Sequence, residues 1–436
     1  MACRRLTSFG LAGLLLSGCT CFAAPLTQGN SALDQVPHTS HVTQLIRRNI
    51  VSESQAALYM SRYPRLKAKT VGKRLANPIG TAKALPVYHP AEYLAAVTAG
   101  GTRYALQIDT GSSDTWFVKE GFQCLVTECN MGPGFKGDFP GGQIEEHFNI
   151  SYGGDYGAFI NGQMGYSDLT VADVTIPKQQ IALATLGAWV GDGISSGILG
   201  LGLPGLTESF KGDTPVEDGL QNLVNYSPVV TTVTNQIGKY IFSLGLSRNE
   251  SESFLALGGV PQEIRVGNYS RVPIEKMPKS FGGSDYLYYA LTPDKMVWKN
   301  STSKAEQTVL PQVIVDSGTT LNVFPYDIAR SINEHFTPPA VYLKSQGGWF
   351  VPCNAAPPSL GVQIGGQMLW TDHANMILRQ IVDDRTGFCA TGIGASSMGD
   401  DGGLGLYILG DVFMQGLVAV FDVGPRMEMR FAKRFG

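Results

Sequence analysis

Two aspartates stand in nearly the same local sequence in the two halves of this chain. Asp109 ends the run Leu-Gln-Ile-Asp and precedes Thr-Gly-Ser-Ser, while Asp316 ends Val-Ile-Val-Asp and precedes Ser-Gly-Thr-Thr. Glycine lets the backbone turn tightly, and hydroxyl side chains can donate hydrogen bonds that orient a carboxylate. We therefore expect each aspartate to lie in a tight turn that presents its carboxylate. The residues expected to support the two carboxylates are Thr110, Gly111, Ser112, Ser317, Gly318 and Thr319.

The chemistry available to such a pair is acid–base catalysis. Two carboxylates in contact cannot both ionise cheaply, so they share a proton and their apparent pKa values separate. One can then activate a water molecule while the other protonates or polarises a carbonyl group. The sequence thus predicts hydrolysis without a cofactor or a metal. The six histidines are scattered and form no His-x-x-x-His pair, which also argues against a metal site.

A second shared element shows that the two aspartates belong to an internal repeat. Gly-Ile-Leu-Gly at residues 197–200 and Tyr-Ile-Leu-Gly at residues 407–410 follow the two aspartates at similar distances. A single Asp-Thr-Gly is ordinarily a turn, but a duplicated one favours two homologous lobes. Glycosidases also use two carboxylates, yet they do not need two hydroxyl-rich loops related by symmetry.

The patterns along the rest of the chain predict an all-β protein with two lobes. Short β-rich runs are separated by Gly, Asn and Pro, and residues 327–336 are one of the few stretches with a helical pattern. A chain of 436 residues is too long for one ordinary core. We expect a signal peptide at 1–23, a basic pro-segment at 24–74, an N-terminal lobe at 75–268 and a C-terminal lobe at 269–436.

The N-terminus has the features of a secretory signal. Two arginines precede a short apolar run and small residues up to Ala24. Downstream there is no second apolar stretch of about 18 residues, so the sequence predicts a secreted protein without a membrane span. Cleavage and lipidation at Cys19 is an alternative, because Leu-Ser-Gly-Cys also fits a lipoprotein signal. Five N-glycosylation patterns accord with secretion, at Asn149, Asn225, Asn249, Asn268 and Asn300.

Four cysteines remain once the signal is removed. They are Cys124, Cys129, Cys353 and Cys389, which allow three disulfide connectivities. Local pairing, with one bridge in each half, is the simplest arrangement. The spacings do not match those of zinc sites.

Charge divides the chain into a basic leader and an acidic body. Residues 41–74 carry a net charge of +7, and residues 75–436 carry −11. The acidic body should repel nucleic acid and attract the leader, which predicts that the leader is an intramolecular inhibitor of the body. Lys73-Arg74 offers a dibasic processing site, and Arg47-Arg48 offers a second one.

Several motifs in one order resemble those of the pepsin-like aspartic proteases, particularly the secreted fungal members. The resemblance covers residues 93–431, and the motifs are Asp-Thr-Gly-Ser-Ser-Asp-Thr-Trp at 109–116, Ile-Ser-Tyr-Gly at 150–153, Gly-Ile-Leu-Gly-Leu-Gly at 197–202, Asp-Ser-Gly-Thr-Thr at 316–320 and Ile-Leu-Gly-Asp-Val-Phe at 408–413. It implies two β lobes related by a pseudo-twofold axis, with a cleft covered by a hairpin flap. Asp109 and Asp316 would be catalytic.

The resemblance also assigns roles around the pair. Tyr152, Gly153 and Trp116 would form the substrate-binding flap and its support. Ser112 and Thr319 would bind the outer oxygens of the aspartates, while Thr110 and Ser317 would lock the two loops together. After Tyr152 this chain departs from the usual Gly-x-Gly-Ser and has Gly-Gly-Asp-Tyr-Gly, so a longer or differently turned flap tip is expected.

The function expected from these features is acid-active cleavage of proteins and peptides by a monomer. The alternative is an inactive binding or inhibitor protein with the pepsin fold. Such proteins usually lose part of one of the two triplets that correspond here to Asp-Thr-Gly at 109–111 and Asp-Ser-Gly at 316–318. A surface-anchored enzyme is a third possibility, for which the basic C-terminal residues supply no anchor.

Overall fold

A computed structural model describes residues 36–49, 91–125, 129–152, 158–189, 191–212, 221–249, 252–278, 285–396 and 406–435. The described residues from Pro37 onward form one compact unit. The predicted signal peptide, residues 24–35 and 50–74 of the predicted pro-segment and the flap residue Gly153 lie outside the described residues.

Strands dominate the described residues. In the N-terminal half of the chain they are β1 (His38–Thr39), β2 (Val42–Gln44), β3 (Ile46–Asn49), β4 (Ala91–Ala99), β5 (Thr102–Asp109), β6 (Trp116–Cys124), β7 (Gln143–Tyr152), β8 (Ala158–Val171), β9 (Val174–Ala188), β10 (Gly197–Gly200), β11 (Ser209–Lys211), β12 (Leu223–Val224), β13 (Ile241–Gly245), β14 (Phe254–Leu257), β15 (Val260–Pro261) and β16 (Arg265–Val266). In the C-terminal half they are β17 (Ser270–Pro273), β18 (Ala290–Leu291), β19 (Lys295–Lys299), β20 (Lys304–Gln307), β21 (Val313–Val315), β22 (Asn322–Phe324), β23 (Val341–Leu343), β24 (Gly348–Val351), β25 (Ser359–Ile364), β26 (Gln367–Trp370), β27 (Ile377–Val382), β28 (Cys389–Thr391), β29 (Ile393–Ala395), β30 (Ile408–Leu409), β31 (Leu417–Asp422) and β32 (Glu428–Phe435).

Helices are short and few among the described residues. They are α1 (Val229–Ile237), α2 (Tyr326–Glu334), α3 (Asp411–Met414) and the 3₁₀ helices Pro204–Leu206 and His373–Asn375. Helix α2 corresponds to the helical pattern predicted at residues 327–336. It begins after Pro325, whose fixed backbone geometry suits a helix start, and Asp327 lies in its first turn.

The sheets form two β lobes joined by a sheet to which both halves contribute. The first lobe is a ten-stranded sheet in the order β12-β11-β7-β8-β9-β6-β10-β5-β4-β3. The second contains a sheet in the order β18-β21-β30-β22-β29 and two four-stranded sheets, β20-β19-β25-β26 and β23-β24-β28-β27. The joining sheet runs β16-β32-β31-β13-β14-β2, with β17 also paired to β32. The predicted two-lobed, all-β fold is confirmed.

The internal repeat of the sequence is also a repeat of strand pairing. Strand β10 runs parallel to β5 and places Gly200 opposite Asp109. Strand β30 runs parallel to β21 and places Leu409 opposite Val315, the residue before Asp316. Residues 104–109 and 313–315 are buried throughout, which explains why both aspartates come after continuous rather than alternating apolar runs.

Part of the predicted leader belongs to the folded body. Strand β1 pairs with β15, β2 with β14 and β3 with β4. Leu45, between β2 and β3, is fully buried in the main core. These pairings join segments more than 200 residues apart for β1 and β2, so no local pattern in the sequence reveals them.

Candidate active site

The two aspartate loops meet face to face, and each holds its carboxylate in the same way. Asp109 and Asp316 are 6% and 7% exposed. One oxygen of each carboxylate accepts a backbone hydrogen bond of 2.8 Å, from Gly111 N–H to Asp109 Oδ1 and from Gly318 N–H to Asp316 Oδ1. The other oxygen of each accepts a hydroxyl hydrogen bond: Ser112 donates to Asp109 Oδ2, and Thr319 donates to Asp316 Oδ2 at 2.7 Å. Donors on both oxygens fix the orientation of each carboxylate.

Reciprocal hydrogen bonds lock the two loops together. The N–H of Thr110 donates to Ser317 Oγ at 3.2 Å, and the N–H of Ser317 donates to Thr110 Oγ1 at 2.9 Å. The hydroxyl of Thr110 donates to the Val315 carbonyl at 2.9 Å, and that of Ser317 donates to the Ile108 carbonyl at 3.2 Å. All four interactions are buried, so they hold the two carboxylates at a fixed separation.

The glycines of the two loops are required by close approach. A Cβ atom at Gly111 would lie 2.6 Å from Cγ of Asp316, and one at Gly318 would lie 2.4 Å from Oδ1 of Asp109. Each carboxylate therefore packs directly on the glycine of the opposite loop. Any larger residue would push the carboxylates apart.

Burial of the pair controls its ionisation. Burial raises the pKa of Asp109, and the adjacent Asp316 carboxylate raises this pKa further. Hydrogen bonds from Ser112 and Gly111 oppose the shift but do not cancel it. A pair of this kind holds one proton over a wide pH range, which provides an acid and a base at one place.

An aromatic cluster lies beside the pair, at the base of the β7–β8 hairpin. The indole Nε1–H of Trp116 donates to the Tyr152 hydroxyl at 2.8 Å, and Ser112 also hydrogen-bonds this tyrosine. The ring of Trp189 lies 5.1 Å from that of Tyr152 and 5.8 Å from that of Trp116. Burial, followed by the Asp109 charge, raises the pKa of Tyr152 well above its usual value, so its hydroxyl stays protonated. The tip of the hairpin, residues 153–157, lies outside the described residues.

Another buried carboxyl, that of Asp114, lies five residues after Asp109, and the sequence assigned it no role. Its side chain is fully buried, and its oxygens accept hydrogen bonds from the Tyr226 hydroxyl at 2.6 Å and from the Glu208 N–H at 3.1 and 3.2 Å. Burial raises the pKa of Asp114 to about 7. One signal was visible in the sequence: the position equivalent to Asp114 in the second repeat is Leu321.

A serine-hydrolase site is not formed at the one stretch that resembles it. Residues 193–197 read Gly-Ile-Ser-Ser-Gly, which fits the Gly-x-Ser-x-Gly pattern of a nucleophile elbow. However, Ser195 is buried and its hydroxyl donates to Asp192 Oδ1 at 2.8 Å. The same Asp192 oxygen accepts the N–H groups of Ile194 and Ser195, so it caps this turn, whereas an elbow serine is exposed at a turn between a strand and a helix.

The predicted disulfides and sugar acceptors are distributed around the two lobes. The structure contains the bridges Cys124–Cys129 and Cys353–Cys389, one in each half. Asn225, Asn249 and Asn268 are exposed. Asn149, within β7, accepts a hydrogen bond from the Asn161 amide at 2.6 Å, while the Asn300 amide donates to the His335 carbonyl at 3.1 Å.

Among the described residues, no group of three or more His, Cys, Asp or Glu side chains could hold a metal ion. Within that same part of the chain, no helix is long and apolar enough to cross a membrane.

Comparisons with known proteins show what the whole chain is similar to. Residues 92–434 match the family model described as eukaryotic aspartyl protease. A probable aspartic-type endopeptidase of Aspergillus fumigatus is 34% identical over an alignment of 356 positions that covers 78% of each chain. Gastricsin of Rattus norvegicus is 26% identical and covers 77% of this chain and 80% of its own. The crystal structure of an aspartic proteinase from Irpex lacteus superimposes with a TM-score of 0.60 at 21% identity, covering 79% of this chain and 94% of that one, which supports the fold.

Proposed function

Because this chain belongs to the eukaryotic aspartyl protease family and is an aspartic-type endopeptidase, we propose that Asp109 and Asp316 are its catalytic pair. The observation that carries the proposal is the matched environment of the two carboxylates. Each accepts one backbone N–H and one hydroxyl hydrogen bond, and each packs on the glycine of the opposite loop. This arrangement leaves both carboxylates oriented toward one shared position.

The mechanism follows from one proton shared by two carboxylates. The ionised carboxylate removes a proton from a water molecule placed between the pair, and the water oxygen attacks the peptide carbonyl carbon. The protonated partner donates its proton to the carbonyl oxygen, which gives a tetrahedral gem-diol. When this diol collapses, the carboxyl that took the water proton gives it to the leaving amine nitrogen, and the other carboxylate takes a proton from a diol hydroxyl. The pair is then again singly protonated. No covalent enzyme intermediate forms.

The substrates are peptides, and we propose that large apolar side chains are preferred next to the bond that is cut. Trp116, Tyr152 and Trp189 form an aromatic wall beside the pair, together with buried aliphatic residues of β7 and β8. Binding an apolar substrate side chain against this wall removes apolar surface from water, which favours binding. Strict selection for a charged residue at the cut site would contradict this preference.

We also propose that the basic leader is a removable inhibitor of a secreted, monomeric enzyme. Strands β1 to β3 give the leader a fixed attachment to the body, and its positive charge favours contact with the acidic lobes. Arg47 and Arg48 lie within β3, paired to β4. A processing protease needs an unpaired strand, which counts against cleavage at Arg47-Arg48, so we propose Lys73-Arg74 as the processing site. N-terminal sequencing of the active secreted enzyme tests this: an end upstream of His41 would contradict it.

The test of the catalytic proposal compares Asp109→Asn and Asp316→Asn with a matched control. Both variants should fold and lose hydrolysis of an unfolded protein at acid pH, because each breaks the shared-proton pair. The control is Asp372→Asn, since Asp372 is exposed, forms a surface ion pair with Arg248 and accepts the Ala374 N–H through an oxygen that asparagine retains. Parental turnover by either pair variant would contradict the proposal. Loss of activity in the control would show that the loss is not specific to substitutions in the aspartate pair.

A further inference from the structure

The stretch of chain between Asp109 and Trp116 has no regular secondary structure, yet it joins two groups whose positions matter. Asp109 ends β5 at one side of the stretch, and Trp116 begins β6 at the other. The Trp116 indole in turn donates to the Tyr152 hydroxyl. Any tilt of this stretch would therefore move the indole relative to the aspartate pair.

Asp114 lies within this stretch and fastens it to two other segments. Tyr226, which precedes α1, donates its hydroxyl to Asp114 Oδ1 at 2.6 Å. Glu208, just before β11, donates its N–H to both oxygens. Charged side chains are rarely buried unless paired, and among the described residues no lysine or arginine pairs with Asp114. A buried acid without a cationic partner is costly, so its retention calls for a role.

Tyr226 connects Asp114 to the aromatic cluster. Tyr226 and Tyr152 each pack against the buried cluster formed by Trp116, Trp189 and their neighbours. The hydrogen bond from Tyr226 to Asp114 therefore ties the stretch that carries Asp114 to the cluster against which Tyr152 packs.

The second repeat supplies a comparison within the same molecule. There the position of Asp114 is taken by Leu321, which packs against the main core, and the position of Trp116 is taken by Val323 in β22. An aspartate loop of this kind therefore does not require a carboxyl five residues after its aspartate. The Asp114 carboxyl occurs in the half that also contains the Trp116 indole and the hairpin with Tyr152.

We propose that Asp114 is a positioning residue for peptide hydrolysis: through its hydrogen bond to Tyr226 it fixes the stretch leading to Trp116, and thereby fixes Tyr152 over the aspartate pair. This role rests on the proposed roles of the pair and of the Tyr152 hairpin. Asp114 itself touches neither the reacting water nor the substrate, and it acts through Tyr226 and Trp116.

The arrangement also implies a pH dependence. The titratable neighbours of Tyr226 are Asp114 and, on β7, Tyr152 and Glu146, and Tyr152 also lies near Asp109. The hydrogen bonds from Tyr226 and from the Glu208 N–H favour ionised Asp114, because a carboxylate accepts more strongly than a neutral acid, while burial opposes its ionisation. Ionisation of Asp114 near neutral pH therefore changes the strength of the contact that holds Tyr226. The KM of the parent enzyme should change across this pH range.

The experiment uses the mature enzyme processed from the full chain, with the variants Asp114→Asn, Asp114→Ala and Tyr226→Phe. The control is Tyr240→Phe, because Tyr240 is an exposed tyrosine away from this cluster. KM and kcat are measured separately for a peptide substrate from about pH 3 to about pH 8. We expect Asp114→Ala and Tyr226→Phe to raise KM about tenfold, with a smaller change in kcat, because a misplaced binding group weakens productive binding.

Two further results distinguish positioning from simple stabilisation. Asp114→Asn keeps an oxygen that can accept the hydrogen bond from Tyr226. At acid pH this variant should therefore have the KM of the parent, unlike Asp114→Ala, and it should not show the parent's change of KM near neutral pH. The double variant Asp114→Ala/Tyr226→Phe should match Asp114→Ala alone, since both act through one hydrogen bond. If Asp114→Ala does not fold, Tyr226→Phe decides the question, because it removes one hydroxyl only.

Folded Tyr226→Phe with parental KM at every pH would overturn the inference. So would a lower melting temperature in the variants with no change in KM, since that is the result of a purely structural role. Failure here leaves the catalytic proposal intact if Asp109→Asn is inactive. Turnover by Asp109→Asn would contradict the catalytic proposal instead.

Discussion

The two halves of this enzyme hold their aspartates alike but differ a few residues further along the chain. Asp109 and Asp316 accept equivalent hydrogen bonds and lie beside equivalent parallel strands. Beyond the loops the halves diverge. The first continues into the buried carboxyl of Asp114 and the indole of Trp116, whereas the second has aliphatic residues at these positions.

The difference separates two tasks. The features that both halves share place two carboxylates in contact. Two equivalent loops, one from each half, are sufficient to form such a pair. Features present only in the first half build an aromatic wall on one side of the pair. A peptide is directional, so one asymmetric wall suffices to orient it. We therefore expect changes to shared features to act on the chemical step and changes to first-half features to act on binding.

The largest effect should come from the shared glycines. Gly111→Ala and Gly318→Ala each place a methyl group within 2.6 Å of the opposite carboxylate or closer. Both variants should lose kcat on the order of a thousandfold, because the pair is forced apart. Steady-state kinetics on the purified variants measures this. A marked inequality between the two, in either direction, would break the symmetry that we infer for the pair.

An intermediate effect should come from the indole that is present in one half only. Trp116→Phe keeps an aromatic ring but removes the donor to Tyr152, so KM should rise by about tenfold while kcat changes less. Val323→Ile is the matched change in the second half, and it should leave KM within about twofold of the parent. Equal effects of the two substitutions would contradict the division of tasks.

The smallest effect on activity, but a clear one on stability, should come from Asp114→Asn. Burial raises its pKa in the folded state to about 7, well above the usual range of an aspartate. The folded protein therefore binds this proton more tightly than the unfolded chain, so stability falls as pH rises between about 4 and 7.

Replacing Asp114 by Asn removes this proton. The Asp114→Asn variant should have a larger free energy of unfolding than the parent at neutral pH, by on the order of 2 to 4 kcal/mol, and this advantage should fade toward pH 4. Denaturant titrations at several pH values measure the difference. A constant offset between the two proteins across that range would show that Asp114 is not the titrating group.

The sequence alone predicted the parts of this structure that rest on repetition and on local pattern. The repeated apolar runs ending in Asp109 and Asp316 indicated two lobes, and the helical spacing near residue 327 indicated α2 within a residue or two. Family resemblance supplied the pairing of Thr110 with Ser317. These features depend on short stretches that can be compared directly.

Other features depend on contacts between distant segments and could not be predicted. The attachment of β1 to β15 joins residues more than 200 positions apart. The residue type and local sequence of Asp114 do not set it apart. Its burial and its hydrogen bond from Tyr226, 112 positions away, do. Its mismatch with Leu321 was visible in the sequence, but a mismatch does not tell which neighbour the carboxyl contacts.

The central claim is that Asp109 and Asp316 work as one singly protonated pair, and the pH dependence of kcat/KM tests it most directly. Burial and the neighbouring carboxylate raise the pKa of Asp109. The pair should therefore keep its one proton through the acid range and lose it as the pH rises past this raised pKa. For the mature enzyme and a neutral peptide, we predict a bell-shaped profile with its maximum at acid pH and little activity in alkaline solution. A rate that continues to rise through neutrality to alkaline pH would contradict the shared-proton pair.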